Sequence, residues 1–244
     1  MTKILALETS SMAASVAVID DDKILGEIIL NHKKQHSIIL MPMIDKLLKS
    51  LEMDISEMDC MACSSGPGSF TGLRIGASTC KGLCHGAGKP IIGIPTLDAI
   101  AYNTVDVNGI VCPMIDALRN NVYTAFYRWE RDSLTKIEDY MIVSVDELIK
   151  KLLLYNENIV FSGDGMLIHK EKLAGAFKNT AMFAPPHVSM PRASSVAALA
   201  LKRFKMGSID NYLNFAPFYL RKSQAERDLE KRTGGVSDGT GMRS

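Results

Sequence analysis

The chain has 244 residues, 47% of them hydrophobic and 23% charged, the balance of a folded globular protein long enough for one large or two small domains. Its 28 basic and 27 acidic residues leave a net charge of +1, which excludes a global field drawing it onto nucleic acid or an anionic bilayer. Met1-Thr2-Lys3 leads directly into a strand-like run without a signal-peptide core, and the apolar runs are too short to span a bilayer, so a cytoplasmic, membrane-free protein is expected.

Three strand-like runs open the chain at 3–9, 13–20 and 23–31, parted by the turns Ser10-Ser11-Met12 and Asp21-Asp22. A helix is predicted over 36–51, a strand over 58–65, a helix over 71–87, a short strand over 90–94, and a helix from Pro95 to about residue 103. The order βββ-α-β-α-β-α then recurs. Strands at 110–116 and 122–129 flank a turn at 117–121, and a third strand lies near 137–143. Ser144 and Glu147 have the spacing of a capping box for a helix over 145–154. A strand over 158–162 ends at Gly163-Asp164-Gly165, followed by a helix over 166–177, a strand over 180–184 and a helix over 194–205.

Two copies of one unit predict a duplicated α/β protein with two sheet-centred lobes. Lobe one spans 1–104 and lobe two 105–193, with 194–232 packing back on lobe one. Within that segment 213–220 is apolar and aromatic, and 221–232 reads as a charged, helix-like solvated face. Residues 233–244, rich in glycine and small polar side chains, read as a disordered tail.

Cys60-x2-Cys63 and Cys80-x3-Cys84 approach the spacing of a zinc site. The first pair lies in an apolar strand, where residues an odd number apart point to opposite faces, so buried reduced thiols are expected. The odd fifth residue, Cys112, fits a reducing compartment.

The stretch Cys60 to Gly76 has the strand–glycine–helix layout of a phosphate cradle. It lacks the Gly-Lys-Ser/Thr of a P-loop, misses the dinucleotide spacing at Gly66, Gly68 and Gly72, and has no acidic residue before Asp98. Anion binding at the helix N-terminus and a tight turn for close backbone packing both remain open. In the helix that follows, Gly72, Gly76 and Cys80, with Thr79 and Leu83 beside them, share a face. Glycine there costs about 1 kcal/mol relative to alanine, a cost tolerated where a second helix must approach closely. Helix 36–51 is apolar over more than half its circumference, including Leu40, Met43, Ile44 and Leu47. A surface helix needs a narrower stripe, so a second buried face, on a partner or within the chain, is expected.

The histidines do not converge on one site. His32 and His36 are four apart but enclose Lys33 and Lys34, and His85, His169 and His187 are scattered. Asp116, Arg119 and Asn120 make a polar hairpin turn in lobe two.

The motifs Leu5-Ala6-Leu7-Glu8-Thr9-Ser10-Ser11, Ser64-Ser65-Gly66-Pro67-Gly68-Ser69-Phe70-Thr71-Gly72-Leu73-Arg74-Ile75-Gly76 and Pro217-Phe218-Tyr219-Leu220-Arg221-Lys222-Ser223-Gln224-Ala225-Glu226 resemble the bacterial TsaB family, once called YeaZ, across nearly the whole chain. The resemblance implies an actin-like ATPase fold of two RNase-H-like lobes. It implies a non-catalytic, dimerising activator in synthesis of threonylcarbamoyladenosine beside the anticodon of tRNAs reading ANN codons. The implied partners are a TsaD-like catalytic paralogue and a TsaE-like ATPase, with a homodimer when alone and tRNA reached only through the complex. The paralogue's metal-binding His-x-Glu-x-His corresponds to Thr96-Leu97-Asp98-Ala99-Ile100, so both histidines are replaced and no metal or catalytic residue is expected. Glu8-Thr9-Ser10-Ser11 stands where actin-like kinases carry Asp-x-Gly-Thr. The expectation is no cofactor on this chain alone, with a nucleotide at the partner interface left open and Gly66, Gly68, Gly163 and Gly165 as remnants of an anion or nucleotide site. The expected partner face comprises Leu40, Met43, Ile44, Leu47, Gly72, Gly76, Thr79, Cys80 and Leu83. The alternatives are a metallopeptidase or a small-molecule kinase on the same fold.

Overall fold

Strands β1 (Lys3–Glu8), β2 (Ala14–Asp20) and β3 (Lys23–Leu30) form the meander, followed by α1 (His36–Ser50), β4 (Cys60–Gly66), α2 (Phe70–Ala87), β5 (Ile91–Pro95) and α3 (Thr96–Ala101). The second round is β6 (Ile110–Asp116), β7 (Asn121–Glu130), β8 (Ser133–Ser144), α4 (Val145–Leu153), β9 (Ile159–Ser162), α5 (Asp164–Phe177) and β10 (Ala181–Phe183). It closes with a short α6 (Pro186–Ser189) and α7 (Ala193–Lys205). This computed structural model describes residues 1–32, 35–105 and 107–221, and the expected charged helix and tail beyond 221 lie outside the described residues.

The duplication is visible in the pairing. One sheet has the order β3-β2-β1-β4-β5 and the other β10-β9-β6-β7-β8, the same arrangement of strands in both. In each, the central strand pairs antiparallel with its hairpin partner and parallel with the strand that follows the first crossover helix. Sequence expectation and structure differ mainly at element ends. A 3-10 turn at Ile55–Glu57 and the one-turn α6 are additions, too short to leave a periodic signal.

The period of two places successive residues of each strand on opposite faces. Leu5, Leu7, Val16, Val18, Met61 and Cys63 face α1 and α2, whereas Ile4, Ala6, Ala17, Ile19, Cys60 and Ala62 face α7. Cys60 and Cys63 therefore lie in different cores, as strand geometry required. All five cysteines are free and buried, and burial pushes the thiols of Cys60 and Cys112 up to about 12.

Helix α3 lies between the sheets. Ala99 packs on the first, while Leu97, Ile100 and Ala101 pack against Val111, Ile115 and Tyr127 of the second. Helix α7 is tied back to the first sheet at its N-terminus. The Glu27 carboxylate accepts from the backbone N–H and hydroxyl of Ser194 and pairs with Arg192.

After α7 the chain runs as a strap across lobe one. Asp210 bridges to Ile91, the ring of Phe215 fills the space over Gly93, and the Phe218 N–H donates to the Ser65 carbonyl at 2.9 Å. The strap then crosses to lobe two, where Phe218 meets the ring of Tyr140 and Arg221 Nη1 donates to the Ala117 carbonyl at 2.9 Å.

Candidate functional site

The matching topologies bring the turn after β1 and the loop before α2 opposite the β6–β7 hairpin and the turn before α5. Between them runs a cleft. Its smaller part, a cavity of about 200 Å³, is lined by Ser10, Met12, Ile100, Ile115, Gly163 and Leu167 among others, and its larger part reaches Gly68, Phe70, Asp116, Leu118 and the strap at Phe218–Arg221. The hairpin tip is strained. Leu118, Arg119 and Asn120 all sit at positive φ, between +56° and +62°, a region that disfavours residues with a Cβ. Asp116 Oδ1 accepts from the Leu118 N–H, and the Asn121 amide donates to the carbonyls of Leu118 and Arg119, which hold the tip in place.

The turn glycines of both lobes seat backbone on backbone. A Cβ on Gly68 would overlap the Ser10 carbonyl, one on Gly163 the Met114 carbonyl, and one on Gly66 would lie 2.6 Å from the Phe218 carbonyl oxygen. Gly165 is packed less tightly, an added Cβ lying 3.2 Å from the backbone of Met114 and Ile115. Of the four glycines named as an anion-site remnant, Gly68 and Gly163 line the cleft, while Gly66 lies under the strap and Gly165 behind the cleft wall. The Ser69 N–H at the entry to α2 is spent on the Ser10 carbonyl at 2.7 Å, and the Ser69 hydroxyl caps Gly72 N–H.

Among the described residues, the charged side chains that line the larger part of the cleft are Asp116, Asp164 and Arg221. Asp116 and Asp164 are joined at the cleft wall, the Asp116 N–H donating to Asp164 Oδ1 at 3.0 Å. Burial raises the Asp164 carboxyl above the usual range, and the Asp116 charge adds to that rise. The Arg221 guanidinium at the mouth already donates to Ala117.

Beneath the cleft floor, at the end of β1, Glu8 is fully buried. Its Oε1 accepts from the Ser10 N–H at 2.6 Å, and its Oε2 has no partner among the described residues. Burial raises its pKa, only partly opposed by hydrogen bonds from Ser10 and Ser64. A raised folded pKa means that the folded state binds the proton more tightly. Stability should therefore fall as pH rises above the unfolded value near 4.5, by up to about 1.4 kcal/mol per pH unit for one proton, and level off above the folded pKa. Glu8→Gln should raise the urea midpoint at neutral pH and flatten this decline. A decline as steep as that of the parent would show that Glu8 is not its source; Asp98 and Asp164, raised in the same direction, leave a residual slope.

Thr96 and Ile100, the positions that correspond to the paralogue's metal-binding histidines, are both fully buried in α3. Asp98 between them is bound to lobe two, its Oδ1 accepting from the hydroxyls of Tyr127 at 2.6 Å and Tyr140 at 2.8 Å. Among the described residues no group of three or more His, Cys, Asp or Glu is placed to hold a metal. His36 lines the cleft with its Nε2 3.4 Å from the Ala13 carbonyl, while His85 packs at a tilt beside Tyr212.

The expected partner face needs correction. Leu40, Met43, Ile44 and Leu47 of α1 are buried in the chain's own core, together with Cys80 of α2. Gly72 and Gly76 are not a shaved outer face. Added Cβ atoms there would overlap the carbonyl oxygen and the hydroxyl of Thr9, so the two glycines form the groove in which the end of β1 lies. Thr79 and Leu83 are half-buried, and Leu83 packs on the same core. The exposed residues are others. Ile38 and Met41 of α1 are 66% and 49% exposed, and Ser78, Gly82 and Gly86 of α2 face outward, with open space around both glycines. Spacing grouped the residues of each helix correctly but cannot tell which group points inward. The strap's crossing to lobe two was also missed; its signal is the aromatic cluster Phe215, Phe218 and Tyr219 in a stretch without helical or strand periodicity.

Comparison with known proteins matches this geometry to one family. A family model described as "TsaD: tRNA N6-adenosine threonylcarbamoyltransferase" matches residues 23–229. The chain is 27% identical over 223 residues to the tRNA threonylcarbamoyladenosine biosynthesis protein TsaB of Bacillus subtilis, covering 91% of this chain and 96% of the relative. It is 33% identical over 175 residues to the protein of that name from Buchnera aphidicola subsp. Schizaphis graminum, covering 66% of this chain and 78% of the relative. The solved structure of YeaZ from Pseudomonas aeruginosa superposes with a TM-score of 0.76 at 24% identity, covering 90% of this chain and all of that one. The two proteins share one fold, in which this chain repeats the same strand arrangement in two sheets.

Proposed function

The chain belongs to the TsaB (YeaZ) family, a tRNA threonylcarbamoyladenosine biosynthesis protein, and from that premise we propose that it is the non-catalytic activating subunit of the complex. The observation that carries the reading is the end-to-end match to TsaB relatives, 91% of this chain against 96% of the Bacillus subtilis protein. The partner is a TsaD-type catalytic paralogue, docked on the outward residues of α1 and α2. A second copy of this chain takes that place when it is alone. A TsaE-type ATPase acts on the assembled complex, and tRNA is engaged there rather than by the nearly neutral isolated chain.

Three observations support an accessory rather than a catalytic role. Thr96 and Ile100 offer no imidazole to a metal and are enclosed between the sheets. Asp116 and Asp164 line the cleft, and the Arg221 guanidinium at its mouth is already bound to the Ala117 carbonyl. The outward surface of α1 and α2 combines two exposed apolar side chains with open glycines, which lets a second helix pair approach closely. Any nucleotide in the system would belong to the paralogue or to the interface.

Reconstitution tests the reading. The paralogue, the small ATPase, threonylcarbamoyl donor and tRNA should give at least ten-fold faster modification when this chain is added. Equal rates with and without it would end the activator reading. Saturable ATP binding by the isolated chain would instead favour a kinase-like role.

A further inference from the structure

We propose that the segment Ser208–Arg221 is a latch that fixes the angle between the lobes and couples helix α2 to the β6–β7 hairpin. Along lobe one the latch is fastened to α2 at two heights. Lys81 Nζ donates to the carbonyls of Leu213 at 3.3 Å and Phe215 at 3.0 Å, and the ring of Tyr219 packs tilted against Phe70 with centroids 4.5 Å apart, the Arg74 guanidinium lying over the Phe70 ring. The sheet beneath is shaped for the latch. Gly93 leaves the space filled by the Phe215 ring, and Gly66 allows the Phe218 carbonyl to approach the end of β4.

Across the cleft the same segment holds lobe two. Arg221 ties the latch to Ala117, the residue just before the strained tip, and Phe218 touches Tyr140, whose hydroxyl binds Asp98 of α3. One short segment thus meets α2, the hairpin and, through Tyr140, the helix between the sheets. A tip held at three successive positive-φ residues has an incentive to relax, and the latch opposes that relaxation. Any state that loosens the latch is felt both at α2 and at the hairpin, so the two are linked thermodynamically, and the linkage is reciprocal.

The coupling can be tested on the isolated full chain, without any partner, so that its failure is separate from failure of the proposed function. Amide hydrogen exchange is measured by peptide in the parent, in Arg221→Ala and in Lys81→Met. Arg221→Ala removes the hairpin fastening, and exchange over 116–121 should rise about ten-fold while the strands of both sheets keep their protection. Lys81→Met loosens the latch from α2, far from the hairpin in the fastening order. It should raise exchange over both 211–219 and 116–121, with the urea midpoint within error of the parent. Unchanged exchange over 116–121 in Lys81→Met would overturn the coupling. A rise in step with the sheet strands in either variant would overturn it too, since that is general destabilisation rather than release of a latch.

Discussion

Gly72→Ala should lower the stability of the protein by about 2–3 kcal/mol, whereas Gly82→Ala, the same change ten residues further along the same helix, should raise it by up to about 1 kcal/mol. Both exchange a glycine for the best helix former, and both therefore gain about 1 kcal/mol of helix propensity. What separates them is what an added methyl meets. At Gly72 it would overlap the carbonyl oxygen of Thr9, a backbone atom at the end of a central strand that cannot rotate away. Thr9 is also bound there, its hydroxyl donating to the Gly72 carbonyl at 2.9 Å, so relief requires the helix to lift off the strand end. At Gly82 an added methyl meets nothing within 4 Å. For a chain of this length the pair should differ by roughly 4–16 °C in Tm, at about 2–4 °C per kcal/mol. Equal midpoints for the two variants in thermal and urea unfolding would show that α2 does not rest on Thr9. The same contact explains why Gly76 is unsuited to an interface test: a larger side chain there meets the Thr9 hydroxyl and disturbs the fold before any partner is involved.

Much of this architecture was legible in the sequence because the signals are local. The apolar runs in 3–9 and 110–116, the Ser144–Glu147 capping box and the repeated order of elements each rest on a few neighbouring residues, and the observed capping box has both reciprocal bonds. The separation of Cys60 from Cys63 into two cores followed from strand geometry alone. The site was less legible, for reasons of the same kind. Helical spacing places Gly72, Gly76 and Cys80 on one side and Ser78, Gly82 and Gly86 on another, but both sides are made of small residues, so composition does not say which is buried. The structure decides by putting Thr9 against the first. Likewise the excess apolar width of α1 is real, but the surplus lies in Ile38 and Met41 rather than in Leu40, Met43, Ile44 and Leu47. The crossing of Phe218 and Arg221 to lobe two depends on contacts more than seventy residues apart in sequence, which no local pattern encodes.

That surplus leads to the second expected result. Ile38→Glu combined with Met41→Glu should leave the isolated chain as stable as the parent, within about 0.5 kcal/mol, and weaken its pairing by at least about 100-fold. Neither side chain supports the core. Ile38 is 66% and Met41 49% exposed, and the buried residues of α1 are the neighbours Ile39, Leu40, Met43, Ile44, Leu47 and Leu48. Glutamate is at least as good a helix former as isoleucine. Position 38 lies in the first turn of α1, which has no acidic residue of its own, so a carboxylate there faces the positive end of the helix dipole. In a helix-to-helix contact the balance reverses. Two carboxylates would be desolvated against an apolar partner surface, and truncating or charging a central apolar anchor commonly costs 2 kcal/mol or more. Two such positions give about 3 kcal/mol at the least, which corresponds to the 100-fold loss. Sedimentation of the isolated chain and of its mixture with the TsaD-type paralogue measures pairing, and the rate of tRNA modification reads the consequence. A variant that folds normally, pairs with parental affinity and still activates the paralogue would place the interface elsewhere. A variant that folds normally, fails to pair and fails to activate locates it on the outward side of α1, because its isolated fold is the internal control.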